Sequence, residues 1–354
     1  MTASVGAPGR AGDQHRAGRP VAASLSRAAT YLRVSVTDRC NQRCVYCMPA
    51  EGVPDRPHDD ILRFEEVERV VRVAAALGVR SVRLTGGEPL VRKGLVGLAA
   101  RLAALPGVQD LALTTNGTLL ARAAPALRAA GVRRVNVSLD TLRPDRYRDI
   151  TRTDLFSDAL AGLEAALAAG LDPVKVNTVV IRGRNDDEVE EMALRAAEGR
   201  VVWRFIELMP LGEARNLGED ALVPADEIVG RLAALARARR LTFVPVSRRG
   251  GAVPSGAGPA RYYRLGRGLV GVISPMTHGF CSSCNRLRLT SDGRLHPCLA
   301  SPLTVDLAGP LRSGVPDGEL ARLILEGVAR KPDAHRLAER PPALAGRRMS
   351  DLGG

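Results

Sequence analysis

Every cysteine in the chain falls into one of two groups of three: Cys40, Cys44 and Cys47 in R-C-N-Q-R-C-V-Y-C-M-P, and Cys281, Cys284 and Cys298 in and beyond C-S-S-C. The spacings are C-x3-C-x2-C and C-x2-C-x13-C. Thiolates are soft ligands that select zinc, copper(I) or iron–sulfur clusters. Structural zinc closes a tetrahedron with four protein ligands, and a cubane 4Fe-4S cluster usually takes four cysteines. Three thiols would leave one iron of a cubane open to a small molecule. For the first group the alternatives are a face of small core residues, which the polar Asp38, Asn41, Gln42 and Arg43 disfavour, and zinc, for which only His58 is near enough in sequence. For the second group, His278 and His296 permit a Cys3His zinc site, and by spacing alone the two readings are close. The repeated count of three favours two open clusters, one for each of two bound ligands.

From Tyr31 the chain alternates β-branched runs with Ala/Leu-rich segments. Strands are expected at Leu32 to Thr37, Ser81 to Thr85, Leu111 to Thr115, Arg134 to Leu139, Val174 to Val180 and Val201 to Leu208. Helices are expected between them at Phe64 to Leu77, Gly94 to Leu105, Leu119 to Ala130, Ser157 to Ala169 and Asp187 to Glu198. Six βα units in a row imply a parallel sheet covered by helices, an α/β fold of the incomplete TIM-like barrel kind. Polar residues gather at the strand C-terminal ends, where such folds build their sites: Thr37-Asp38, Thr85-Gly86-Gly87-Glu88, Thr114-Thr115-Asn116-Gly117, Ser138-Leu139-Asp140 and Glu207-Leu208-Met209. The loop holding Cys40, Cys44 and Cys47 lies on that face. After Pro210 the rhythm is expected to stop. A boundary near residue 215 divides the barrel (31–215) from a smaller, irregular region (216–354), with a loop at Ser247 to Ala260 and strand-like runs at Arg261 to Leu265 and Leu269 to Ser274.

The 354 residues carry a net charge of +13, almost all of it arginine; only Lys93, Lys175 and Lys331 are lysines. With 3% aromatics there is little material for stacking bases, so nucleic acid is an unlikely partner and the charge points weakly to an anionic ligand. No apolar run reaches the roughly 18 residues a membrane span needs. Residues 1–30 contain one acid, Asp13, and no secretory core; they read as a disordered extension, with an organellar transit peptide as the alternative. Reduced thiols in the cytoplasm are the expectation.

The C-x3-C-x2-C motif with Tyr46 before its last cysteine resembles radical S-adenosylmethionine (SAM) enzymes. With V-R-L-T-G-G-E-P-L, T-T-N-G, V-S-L-D, V-K-V-N-T, F-I-E-L-M-P, F-C-S-S-C-N-R-L-R-L-T and the terminal Gly353-Gly354, the chain from Tyr31 onward is similar to one family among them, the GTP 3′,8-cyclases of molybdenum cofactor biosynthesis. The resemblance implies two 4Fe-4S clusters, on Cys40, Cys44 and Cys47 and on Cys281, Cys284 and Cys298, the first chelating SAM and the second binding guanine. It implies SAM contacts at Tyr46, Gly87, Ser138 and Met209, and GTP contacts at Arg33, Arg83, Thr114, Lys175, Arg286, Leu287 and Arg288. Catalytic roles would fall on Arg286, Arg288 and a tail, Gly353-Gly354, threaded into the site. The implied reaction is abstraction of the 3′ hydrogen of GTP by a 5′-deoxyadenosyl radical and attack of C3′ on guanine C8. Implied partners are a flavodoxin-like or ferredoxin-like electron donor, a cyclic pyranopterin monophosphate synthase that takes the product, and a second copy of the chain in a homodimer. Other radical SAM enzymes with an auxiliary cluster share the first motif, and a zinc-stapled nucleic-acid module is the rival from another class.

Overall fold

The computed structural model describes residues 29–54, 56–247, 258–339, 341 and 349–353. Nearly all of the expected N-terminal extension, most of the Ser247 to Ala260 loop, and Gly354 lie outside these residues.

The first half follows the expected alternation closely: β1 (Tyr31–Ser35), α1 (Phe64–Ala76), β2 (Ser81–Thr85), α2 (Leu95–Ala103), β3 (Asp110–Thr115), α3 (Leu120–Ala129) and β4 (Arg134–Ser138). An unexpected helix, α4 (Pro144–Thr151), then precedes α5 (Phe156–Ala168), β5 (Val174–Val180), α6 (Val189–Ala197) and β6 (Val202–Glu207). The strands alternate: residues such as Leu32, Val34, Val82, Leu84, Val135, Val137, Trp203 and Phe205 lie in the hydrophobic core, while Arg33, Arg83, Asn136, Lys175 and Arg204 between them line a cavity on the other face. The helices lay one stripe on it; α1, for example, buries Val67, Val70, Val71 and Ala74 at helical spacing.

Beyond β6 the rhythm does not stop where expected. Helix α7 (Ala225–Arg239) completes the sixth βα unit. It is followed by β7 (Phe243–Val246), β8 (Arg261–Leu265), β9 (Gly268–Ile273), β10 (Arg286–Leu289), β11 (Arg294–His296), β12 (Val305–Asp306), α8 (Ala308–Arg312), α9 (Asp317–Ala329) and α10 (Met349–Leu352). These late strands join the same sheet, in the order β12-β11-β10-β1-β2-β3-β4-β5-β6-β9-β8-β7. Strand β9 pairs in parallel with β6, and β10 pairs in parallel with β1, so the parallel array is extended at both ends. Sequence periodicity misses this because the pairings join residues far apart in the chain, Tyr31 with Arg286 and Val202 with Leu269.

Close packing of the helical layer depends on Gly162, buried on α5, which faces the carbonyl of Gly117 so closely that no Cβ fits. Gly162→Ala is expected to lower stability by about 1–3 kcal/mol, the usual range for overpacking, read as a fall in the urea midpoint at unchanged slope.

Candidate active site

The loop bearing Cys40, Cys44 and Cys47 leaves the C-terminal end of β1. It is held by α4: the carbonyls of Ile150 and Thr151, which the helix end leaves unsatisfied, accept from Val45 and Arg43 N–H, both at 2.9 Å. Arg152, in the left-handed conformation that ends α4, donates through Nη1 to the carbonyls of Arg43 and Met48, both at 3.1 Å. Neighbouring turns are laced to the same loop. Glu88 is fully buried and accepts from Leu90 N–H, Thr115 Oγ1 and Asn116 N–H, while Asn116 Nδ2 donates to Asn41 Oδ1 at 2.8 Å. Tyr46 donates to Asp140 Oδ2 at 2.7 Å. The backbone of Gly87 lies against that of Arg39, where a Cβ would collide with the Arg39 carbonyl. This glycine is therefore required by the cysteine loop itself, whatever ligand approaches it.

The second triad comes in from the other end of the strands. Cys284 stands two residues before β10, whose first residue, Arg286, is level with Tyr31 at the start of β1. Cys298 follows β11, which runs antiparallel to β10 with His296 opposite Arg288, and so returns to the same edge. The first triad follows the end of β1, whose five residues span about 15 Å at roughly 3.3 Å per residue. Both triads line one cavity of about 320 Å³ that also contains Tyr46, Gly87, Ser138 and Met209.

Between the triads the walls are cationic. Arg33, Arg83, Arg134, Lys175, Arg204, Arg286 and Arg288 line the cavity, against the carboxylates Asp140 and Glu207. Arg288, Arg33 and Arg83 are level with one another across β10, β1 and β2. Like charges directly opposite on neighbouring strands repel. Burial and then Arg288 drive the Arg33 pKa well down, and burial and then Arg286 bring Arg288 down to about 10. Arg83 donates to Thr114 Oγ1 and the Leu113 carbonyl, both at 3.2 Å, and its Nε donates to the Tyr31 hydroxyl. Burial, reinforced by Arg204, Arg134 and Arg83, lowers Lys175 to about 6.

The C-terminal residues enter the same space. The Gly353 carbonyl accepts from Arg33 Nη2 at 2.7 Å and Thr85 Oγ1 at 3.1 Å, and the Leu352 carbonyl accepts from Arg288 Nη1 at 3.3 Å. Among the sequence-selected residues, Leu287 stands apart, since its side chain is buried in the main hydrophobic core. Any ligand contact from it would come from its backbone. Arg134 and Arg204 were not selected, yet the signal was available: each is a cation in an apolar parallel strand, the same feature that singled out Arg33, Arg83 and Lys175. Arg204 Nε donates to Asn177 Oδ1 at 2.9 Å, and Arg134 pairs with Asp110.

The donor sets suit iron–sulfur clusters. All six thiols are free and partly buried, and each lines the cavity. Among the described residues, no three His, Cys, Asp or Glu side chains converge closely enough to grip a single metal ion. A cubane instead takes one thiolate per iron, so its cysteines stand apart around it. His278 is bound to Asp226 at 2.8 Å and is 42% exposed. Neither it nor His296 is among the cavity-lining residues, whereas His335 is. Burial pushes Cys40 up to about 11, whereas at Cys284 burial is outweighed by Arg286 and Lys331, leaving it at about 7.

Residues 34–196 match the radical SAM superfamily, and residues 201–337 match the Molybdenum Cofactor Synthesis C family. A GTP 3′,8-cyclase of Pelotomaculum thermopropionicum is 52% identical over 333 residues, covering 94% of this chain and 99% of that protein. One from Moorella thermoacetica is 49% identical over 335 residues, with the same two coverages. The chain belongs to the GTP 3′,8-cyclase family. Among solved structures, Streptococcus suis SuiB bound to its precursor peptide SuiA superposes with a TM-score of 0.60 at 12% identity, covering 92% of this chain and 76% of that one. That likeness concerns the fold alone. The matches of this cyclase-family chain to the radical SAM and Molybdenum Cofactor Synthesis C families meet between residues 196 and 201, just ahead of β6.

Proposed function

We infer that the protein is a radical SAM GTP 3′,8-cyclase, converting GTP to 3′,8-cyclo-7,8-dihydro-GTP in the first step of molybdenum cofactor biosynthesis. The observation that carries this reading is the level row of arginines, Arg288, Arg33 and Arg83, in the cavity that both cysteine triads line. A triphosphate relieves the repulsion of such a row, and arginine forks match phosphate oxygens.

Cys40, Cys44 and Cys47 would hold one 4Fe-4S cluster and Cys281, Cys284 and Cys298 the other. When bound, the first cluster and SAM supply a reducing electron and a carbon radical that takes a ribose hydrogen. Tyr46, Gly87, Ser138 and Met209 position SAM at the C-terminal edge of the strands. Arg33, Arg83, Lys175, Arg286 and Arg288, joined by Thr114, Arg134 and Arg204, hold the nucleotide, with its base toward the second triad. The same reading extends to a flavodoxin-like or ferredoxin-like electron donor, delivery of product to cyclic pyranopterin monophosphate synthase, a homodimer and a cytoplasmic setting. Among the described residues no helix is long and apolar enough to cross a membrane.

The test is anaerobic reconstitution with iron and sulfide, then incubation with SAM, dithionite and GTP. The expected result is GTP-dependent 5′-deoxyadenosine and a cyclised nucleotide; absence of both defeats the reading.

Lys175 adds a proton-linked prediction. Its pKa in the fold, about 6, lies below the ordinary 10.5. Between those values the unfolded chain binds more protons than the folded one, so stability without ligand rises with pH across that window. A triphosphate beside the ammonium restores its charge, so GTP binding near pH 8 should take up close to one proton. Calorimetry in buffers of different ionisation enthalpy measures the uptake, which Lys175→Met should abolish.

A further inference from the structure

Arginine supplies nearly every cation of this chain, so each of its three lysines stands where an arginine would be the ordinary choice. Lys331 is the second residue past the end of α9 and is half-buried. Its Nζ donates to the carbonyl of Arg286 at 2.7 Å and to that of Pro297 at 2.8 Å. Arg286 stands two residues after Cys284, and Pro297 immediately precedes Cys298. The antiparallel pairing of β10 with β11 reaches Arg288 and His296 and goes no further. Pro297 has no N–H to continue the ladder. Where the ladder ends, one ammonium ties together the two chain segments that carry the second triad.

We propose that Lys331 is a positioning residue of the second cluster: it fastens the Cys281–Cys284 segment to the Cys298 segment and fixes a positive charge beside them. The proposal rests on the reading that this triad holds an iron–sulfur cluster. A compact ammonium with three rotatable donors can span two carbonyls and still face the thiolates. The Lys331 charge acts on the Cys284 and Cys298 sulfurs. Cluster potentials follow local charge and hydrogen bonding. Reduction adds negative charge, so a nearby cation favours the reduced cluster and raises its potential.

The test uses the full chain with Cys40, Cys44 and Cys47 all replaced by alanine, so that only the second triad remains, and compares Lys331 with Lys331→Met, Lys331→Gln and Lys331→Arg. Two quantities are read after anaerobic reconstitution: iron loss to a chelator, and the midpoint of an EPR-monitored redox titration. Circular dichroism before iron is added separates a folding defect from a cluster defect. The parent is expected to hold about four irons. Lys331→Met should lose them about 10- to 100-fold more readily. Lys331→Met and Lys331→Gln should both titrate at more negative potential, and Lys331→Arg should recover most of the potential because it keeps the charge. Met and Gln variants that match the parent in both measurements overturn the proposal, as does an Arg variant shifted as far as Met. A parent that takes up no iron shows instead that the cluster reading is wrong, and the proposal falls with it.

Discussion

Cys284→Ala is expected to halve the iron of the reconstituted protein, from about eight to about four per chain, and to abolish nucleotide cyclisation while leaving slow, uncoupled cleavage of SAM. Cys44→Ala should lose the same amount of iron but abolish SAM cleavage as well. The asymmetry follows from how the triads are supported. The first is braced by the carbonyls of Ile150 and Thr151 and by Arg152. The second is built on the β10–β11 pair and Lys331. These supports share no residue and stand at opposite ends of β1, so loss of one should leave the other standing, as for independent sites. Iron analysis together with chromatography of 5′-deoxyadenosine and nucleotide products reads all three quantities. Loss of all iron from either single variant, or cyclisation that survives Cys284→Ala, would sink this account.

The second large effect is expected at Gly353. Its φ of +73° lies in the left-handed region, and a Cβ there would stand 2.6 Å from Thr85 Cγ2 and 3.3 Å from Ser35 Cβ, beneath the contact that Arg33 makes with its carbonyl. Gly353→Ala should lift the tail from Arg33 and Thr85. Because a displacement of about 1 Å near reacting groups can lower a rate by about 100-fold, kcat for cyclisation should fall on that order. The residue carries little of the core, so the stability read from urea unfolding should change by less than about 1 kcal/mol. A variant with unimpaired kcat would remove the tail from the chemistry, and one with a large stability loss would make it a structural element.

The barrel strands were legible because each is a run of five to seven residues that repeats a Val, Leu, Trp or Phe at every second position between turn residues, a local pattern that tertiary context had no reason to override. Helix α4 was not. Its sequence P-D-R-Y-R-D-I-T buries only Tyr147, Ile150 and Thr151, too few for a visible stripe, and its importance lies in carbonyls that sequence does not display. The cysteine triads were legible by count and spacing, whereas their arrival from opposite edges depended on β10 lying beside β1. Arg134 and Arg204 were legible in principle, each being a charge in a strand that should have none. The closeness of Gly87 to Arg39 was hidden because it concerns the distance between two backbones.

The continuous sheet has a consequence for how the chain can be divided. The junction between the two family matches falls between residues 196 and 201, which on a linear map invites a cut. In space, β1 and β5 from one side of that cut are hydrogen-bonded to β10 and β6 from the other, since β6 begins just beyond it. A fragment ending there would expose unpaired strand edges, which recruit other chains. The halves expressed separately should aggregate, and expressed together they should reassemble by strand complementation. For inheritance and for engineering alike, the unit is the whole sheet.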